Sequence, residues 1–346
     1  MQLRVAVVGS TGYTGFELVS LLQQHPQVQL VALTSQSYAG KPIATVFPAL
    51  QGVCSLVCEP LDVETLAQKA DFVFVALPHK KAMEVVAPLV SAGKRVVDLS
   101  ADFRFRRAST YEQWYQEHTA RELLAEAVYG LPELHGKTIR TARIVGNPGC
   151  YPTGVILAAA PLVAHGFIAL DSIIADCKSG VSGAGRAATL TTHYCEANEG
   201  FKAYKVGEHR HTPEIEQELS AVAGEELRVV FTPHLVPMSR GILSTVYGRL
   251  TAEVTEAEVR QAFEQAYGRA RFVRIMEGGQ LPATLQVRGT NFCDIGWRLD
   301  RRTGRIIVIS AIDNLTRGAS GQAVCNMNLM CGFPEDSGLD LRVWQP

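Results

Sequence analysis

No stretch of this sequence approaches the roughly 20 consecutive apolar residues that a membrane helix needs. The apolar run 154–164 stops at His165. No secretory leader is predicted, because the apolar opening Val5-Ala6-Val7-Val8 passes straight into a glycine-bearing turn from Gly9 to Gly15 and meets no small-residue cleavage site. Neither sign of charge dominates, with a formal net charge of −1. Nucleic acid and anionic membranes require a clustered basic excess, so both are excluded as partners. Arg104, Arg106 and Arg107 do cluster, a pattern that suits a solvated surface or a small-anion site. The eight cysteines, at 54, 58, 150, 177, 195, 293, 325 and 331, contain no CxxC and no disulfide-framework spacing. Cys54 and Cys58 lack a second pair that would complete a zinc site. No metal centre is predicted, and the thiols are expected to stay reduced, in the cytoplasm.

What is present is a chain of 346 residues, 47% hydrophobic, which exceeds one ordinary core and predicts two domains. The first third alternates short apolar runs with amphipathic stretches. Strands are predicted over 3–8, 28–33, 72–76 and 95–99, with helices over 16–24 and 80–91. This is the pattern of a parallel sheet covered by helices. After residue 150 the character changes. One helix over 153–165 precedes longer strands at 171–178, 227–235, 243–250, 292–299 and 305–312, with a clear helix only at 256–268. These predict an α+β domain on a mostly antiparallel sheet. A last helix over 321–331 is apolar enough to dock on another element.

Gly9-Ser10-Thr11-Gly12-Tyr13-Thr14-Gly15 follows the first strand and opens the first helix. Glycines there allow a tight turn and let backbone N–H groups approach a pyrophosphate at a helix N-terminus. The spacing is GxxGxxG and departs from GxGxxG, yet its place at the start of a βαβ unit predicts a Rossmann-like dinucleotide site. After the second strand the chain reads Thr34-Ser35-Gln36-Ser37 and then Lys41. An NAD site would place a carboxylate here for the ribose 2′-hydroxyl. Hydroxyls, an amide and a cation accept a 2′-phosphate instead, so NADPH/NADP⁺ is the predicted coenzyme, with Ser35 beside it.

Asn147-Pro148-Gly149-Cys150-Tyr151-Pro152-Thr153 joins an apolar strand at 142–145 to an apolar helix. A cysteine at a helix N-terminus feels the dipole and free N–H groups, which favour the thiolate. A buried small residue in a tight turn is the plain alternative, but Pro148-Gly149 makes a sharp turn that presents the thiol.

This loop resembles the active-site signature of the N-acetyl-gamma-glutamyl-phosphate reductase family, which is related to aspartate-semialdehyde dehydrogenase. The glycine loop, Ala76-Leu77-Pro78-His79, Asp98-Leu99-Ser100-Ala101-Asp102-Phe103-Arg104, the stretch Ser179 to Arg186, Gly207-Glu208-His209-Arg210-His211-Thr212-Pro213-Glu214-Ile215 and Asp313-Asn314-Leu315 resemble that family too, in order along the chain.

The resemblance implies NADPH-dependent reduction of N-acetyl-L-glutamyl 5-phosphate to N-acetyl-L-glutamate 5-semialdehyde and phosphate, in arginine biosynthesis, through a Cys150 thioester. It implies His209 as acid and base, with His211 the second choice or a substrate contact, and Arg104 on the departing phosphate. Ser182, Gly183 and Asn314 would approach the coenzyme, and His79 would shape its cleft. A domain over 1–149 would bind NADP, a catalytic and oligomerisation domain would cover 150–313, and segment 314–346 would pack back on the first. Association is expected through the second domain, as a dimer or tetramer. Rival readings are aspartate-semialdehyde dehydrogenase, a lysine-pathway reductase of carrier-bound aminoadipyl phosphate, and a non-catalytic NADP-binding regulator. A regulator needs neither Cys150 nor His209.

Overall fold

A computed structural model describes residues 2–339. The chain forms two compact units: residues up to Pro148 rejoined by the segment from Ala319, and Gly149–Gly318. Of the C-terminal segment expected over 314–346, residues 340–346 lie outside the described residues.

The first unit holds a seven-stranded sheet. Its strands are β1 (Leu3–Val8), β2 (Val28–Thr34), β3 (Cys58–Glu59), β4 (Phe72–Val75), β5 (Arg95–Asp98), β6 (Ala127–Tyr129) and β7 (Ile144–Gly146). Their order is β3-β2-β1-β4-β5-β7-β6, and every pairing is parallel. Parallel sheets are covered on both faces, which is why Val5–Val8 and Phe72–Val75 read as unbroken apolar runs and are all fully buried. The helix Tyr13–Gln23 follows β1, and Met83–Ser91 lies between β4 and β5. The helix Gly321–Cys331 also belongs to this unit, and Gly321–Met330 are buried. Two of its asparagines have specific partners. Asn326 Nδ2 donates to the Gly130 carbonyl at 2.9 Å and to Asn147 Oδ1 at 3.0 Å, and Asn328 Oδ1 lies 2.9 Å from His25 Nε2.

The second unit holds β8 (Ile174–Ser179), β9 (Lys202–Ala203), β10 (Val230–Leu235), β11 (Ile242–Arg249), β12 (Val273–Ile275), β13 (Cys293–Asp300) and β14 (Arg305–Ile312). Their order is β12-β13-β14-β11-β8-β10-β9. The sheet is mixed and mostly antiparallel; β8–β10 and β12–β13 are its parallel pairs. The helix Cys150–Ala164 packs on β11 and β14 and is buried from Tyr151 to Val163, so it is apolar on all sides. The burial pattern of β8 and β11 alternates, which leaves the opposite face of the sheet with partly exposed side chains.

His209 and His211 look from their neighbours like residues of a charged loop, yet Thr212 opens a 12-residue helix, Thr212–Ala223, with His211 at its cap position and Pro213 in its first turn. Proline is well placed there, since its missing N–H would have no helical partner.

Candidate active site

The glycine loop is built as a phosphate cradle requires. Gly9 ends β1 at φ +83°, and a Cβ on it would sit 2.4 Å from the Ala76 carbonyl oxygen. A Cβ on Gly15 would meet the Gly9 oxygen at the same distance, so the helix Tyr13–Gln23 can sit this close to the turn only with glycine. Gly12 differs: a Cβ there meets nothing within 4 Å, no side chain caps the helix, and its first turn carries no acidic residue. The positive end of the helix is therefore open to an anion. Thr14 and Tyr13 lie in that first turn, and Ser320 Oγ fixes it by donating to the Thr14 carbonyl at 2.9 Å. At the end of β2 the hydroxyls of Thr11 and Ser35 are 2.9 Å apart. These groups fit a dinucleotide with a 2′-phosphate.

The stretch Asp98 to Arg104 at the end of β5 is structural in its contacts. Asp102 accepts N–H groups from Lys80, Ala82 and Met83 and the Tyr111 hydroxyl, and so holds the loop after β4. Burial, and then the nearby Asp102, push the Asp98 carboxyl well above the ordinary carboxylate range. His79 Nδ1 accepts the Ala101 N–H at 3.0 Å. Arg104 is 5% exposed, and it donates from Nε to the Asn147 carbonyl at 2.6 Å and from Nη2 to the Leu99 carbonyl at 2.9 Å. Asn147 Nδ2 in turn donates to the Ala319 carbonyl at 3.0 Å.

In the second unit Cys150 is the first residue of its 15-residue helix, behind an N-cap Gly149 with no side-chain cap and no acid in the first turn. It is partly exposed, whereas Cys177 is fully buried and burial pushes that thiol up to about 12. Cys195 is exposed but heads no comparable helix. The helix position favours the charged form of a thiol. Gly318 passes close by, since a Cβ on it would lie 2.8 Å from Cys150 Cβ. The ring of His211 lies against Gly149, where a Cβ would be 2.6 Å from Nε2. His209 stands behind it, 9% exposed, with its ring centroid 4.8 Å from that of His211 and 5.2–5.6 Å from Tyr151, Tyr204 and Phe231. Its Nδ1 accepts the His211 N–H at 3.1 Å, so neutral His209 carries its proton on Nε2. Burial, then the charges of Lys205 and Arg210, lower its pKa to about 4.

Ser182, Gly183 and Asn314 come together. Asn314 Nδ2 donates to Ser182 Oγ at 2.9 Å, Asn314 Oδ1 accepts the Gly241 N–H at 2.7 Å, and a Cβ on Gly183 would lie 3.6 Å from Asn314 Nδ2. Asp313 anchors this segment: its carboxylate binds Arg240 through Nε and Nη2 at 2.8 and 2.9 Å and accepts the Gly289, Leu315 and Thr316 N–H groups. The sequence gives no sign of the Glu214 contact: Glu214 Oε1 accepts the Gly149 N–H at 2.7 Å, across 65 residues of chain.

Comparison with known proteins agrees over both units. Residues 4–142 match the semialdehyde dehydrogenase NAD-binding domain, and residues 150–314 match the semialdehyde dehydrogenase dimerisation domain. Among solved structures, aspartate semialdehyde dehydrogenase II from Vibrio cholerae superposes with a TM-score of 0.73 at 18% identity, covering 96% of this chain and 99% of that one. The Candida albicans aspartate semialdehyde dehydrogenase with NADP gives 0.72 at 17%, with the same coverage. At such identities the likeness is one of fold. Sequence relatives are much nearer. The N-acetyl-gamma-glutamyl-phosphate reductase of Syntrophobacter fumaroxidans is 63% identical over 99% of this chain and 100% of its own length. That of Geobacter sulfurreducens is 57% identical over 98% of both. Identity of this degree from end to end means that the chain belongs to the N-acetyl-gamma-glutamyl-phosphate reductase family, within the wider group of semialdehyde dehydrogenases.

Proposed function

We propose that the chain reduces N-acetyl-L-glutamyl 5-phosphate with NADPH to N-acetyl-L-glutamate 5-semialdehyde and inorganic phosphate, a step of arginine biosynthesis, through a thioester on Cys150. The observation that carries the chemistry is a part-exposed cysteine heading an uncapped 15-residue helix, with the ring of His211 against the preceding glycine. The substrate follows from the names of the full-length relatives.

Cys150 Sγ attacks the acyl carbon. The carbon–oxygen bond to phosphate then breaks, phosphate leaves, and the acyl group stays on sulfur. NADPH, when bound, supplies a hydride to the thioester carbon. A histidine donates a proton to the tetrahedral oxyanion and takes it back as the carbon–sulfur bond breaks, which frees the aldehyde and the thiolate. His209, singled out by its motif, carries its proton on Nε2 in the neutral form and so can donate a hydrogen bond to that oxyanion. The ring of His211 against Gly149 favours a second reading in which His211 moves the proton and His209 orients it through the His211 N–H.

The loop Gly9, Thr11, Gly12, Tyr13, Thr14 and Gly15 would hold the pyrophosphate, and Ser35 the 2′-phosphate. Ser182, Gly183 and Asn314 would serve the nicotinamide end; the Asn314 Nδ2 has a second hydrogen to offer its carboxamide. Arg104, which braces the Asn147 carbonyl, would guide the phosphate group. A reduced nucleophilic thiol and NADPH suit the cytoplasm, and among the described residues no helix is long and apolar enough to cross a membrane. The part-exposed sheet face of the second unit suits a second copy of the chain, in a dimer or tetramer.

Two measurements test this reading. The reverse assay with NADP⁺ and phosphate should oxidise N-acetylglutamate semialdehyde well and aspartate semialdehyde poorly; the opposite preference would refute the substrate. Mass spectrometry of enzyme with acyl phosphate and no NADPH should find an acyl adduct on Cys150 and none in Cys150→Ser. In the reverse assay, whichever of His209→Asn and His211→Asn slows turnover by about 10²–10⁴-fold marks the proton carrier.

A further inference from the structure

Glu214 lies in the first turn of the helix Thr212–Ala223 and is fully buried. A glutamate seldom leaves water without a specific partner. Its Oε1 accepts the backbone N–H of Gly149 at 2.7 Å. Gly149 is held from its other side as well, because its carbonyl accepts the Thr153 N–H at 3.2 Å and the Thr153 hydroxyl at 3.1 Å. The same residue has the His211 ring against its Cα and sits in an extended conformation, φ −67° and ψ 153°. Three restraints therefore meet on the one residue that precedes Cys150. Two of them, the carboxylate and the ring, come from a single turn of chain, His211 to Glu214.

We propose that Glu214 is a positioning residue for the Cys150 nucleophile and acts through the Gly149 amide. This rests on the thioester reading above. Glu214 need not touch the substrate: by fixing the Gly149 N–H it fixes the peptide that enters the helix, and with it the direction of the Cys150 side chain. A nucleophile displaced by an ångström loses a large part of its rate. The proposal demands reach and an oxygen acceptor from residue 214, and it does not demand charge. Glutamine has the same length and carries an oxygen. Aspartate keeps the charge but is one methylene shorter, so its oxygens fall short of Gly149 unless the helix moves.

The test uses the full chain as Glu214→Gln, Glu214→Asp and Glu214→Ala. A hydrogen bond to a charged group contributes about 10- to 100-fold when converted to a rate. The expected result is a kcat within about fivefold of the parent for E214Q. E214D and E214A should lose about 10- to 100-fold in kcat, with KM for NADPH unchanged. A purely structural role would lower the amount of folded protein without this split and without rescue by glutamine. Activity kept in E214D and lost in E214Q overturns the proposal in favour of a role for charge, and parent-like kcat in all three overturns it outright. If E214A does not fold, the contrast of E214Q with E214D decides.

Alkylation of Cys150 by iodoacetamide reads the loop without any substrate. It should be slower in E214D than in E214Q, and equal rates in these two overturn the proposal. A parent that forms no acyl adduct but alkylates with this contrast would refute the thioester reading while leaving the positioning role of Glu214 standing.

Discussion

His209 is enclosed by the rings of Tyr151, Tyr204 and Phe231, and that enclosure sets its proton affinity. Burial is the main cause of its low pKa of about 4, and Lys205 and Arg210 add to it. The ordinary value of 6.5 applies to the unfolded chain, so between pH 6.5 and 4 the unfolded state binds the proton more readily. Stability from this group is therefore complete above pH 6.5 and is lost as pH falls toward 4, by at most about 3 kcal/mol. Urea unfolding at pH 7 and pH 4.5 measures it. The parent should lose more stability than His209→Asn over that interval; equal losses would show that the ring is not held neutral by its surroundings.

The glycine turn before the first helix and the end of β2 work as a pair through the Thr11–Ser35 hydroxyl contact at 2.9 Å. Ser35→Asp would put a carboxylate beside the 2′-phosphate, a repulsion of order 1–4 kcal/mol at an effective dielectric of 20. NADPH binding, followed by its fluorescence, should weaken by roughly tenfold or more while NADH binding changes little. Equal loss of both coenzymes would place the 2′-phosphate elsewhere. Elements with a long period were legible in the sequence: β1, β14 and the helix Gly321–Cys331 fall where apolar runs predicted them. The strands Cys58–Glu59, Ala127–Tyr129, Lys202–Ala203 and Val273–Ile275 were not, because two or three residues carry no period. The helix Thr212–Ala223 was hidden for another reason. Its buried face includes Glu214 and Glu218, so the stripe that packs inward reads as polar surface. Cys150 was legible because its loop is local in sequence. The hold of Glu214 on Gly149 was not, because it joins residues 65 apart and exists only once the second unit has folded.

At the scale of the whole molecule, the sheet of the second unit has one face that its own helices leave uncovered. Val230 there is 60% exposed, and an open depression is lined by Ile174, Asp176, Thr232, His234, Tyr247 and Arg305. A second copy presenting the same face would cover Val230, Ile174 and Tyr247 and would do so with twofold symmetry. Light scattering at micromolar concentration should report at least twice the chain mass of 37.6 kDa. A single species at that mass would rule the association out, and Val230→Lys should shift the protein toward it. The rejoining of the first unit by the segment from Ala319 has a consequence for the growing chain. Ser320 and Thr14 bond across 306 residues, so the turn at the head of the first helix emerges early from the ribosome and waits for a partner made near the end. At about 5–20 residues per second that wait is on the order of 15–60 s. Throughout it, the apolar surfaces that will receive the helix Gly321–Cys331 stay open to water, which makes the nascent first unit a natural client for a chaperone and nonsense truncations before residue 319 prone to aggregate.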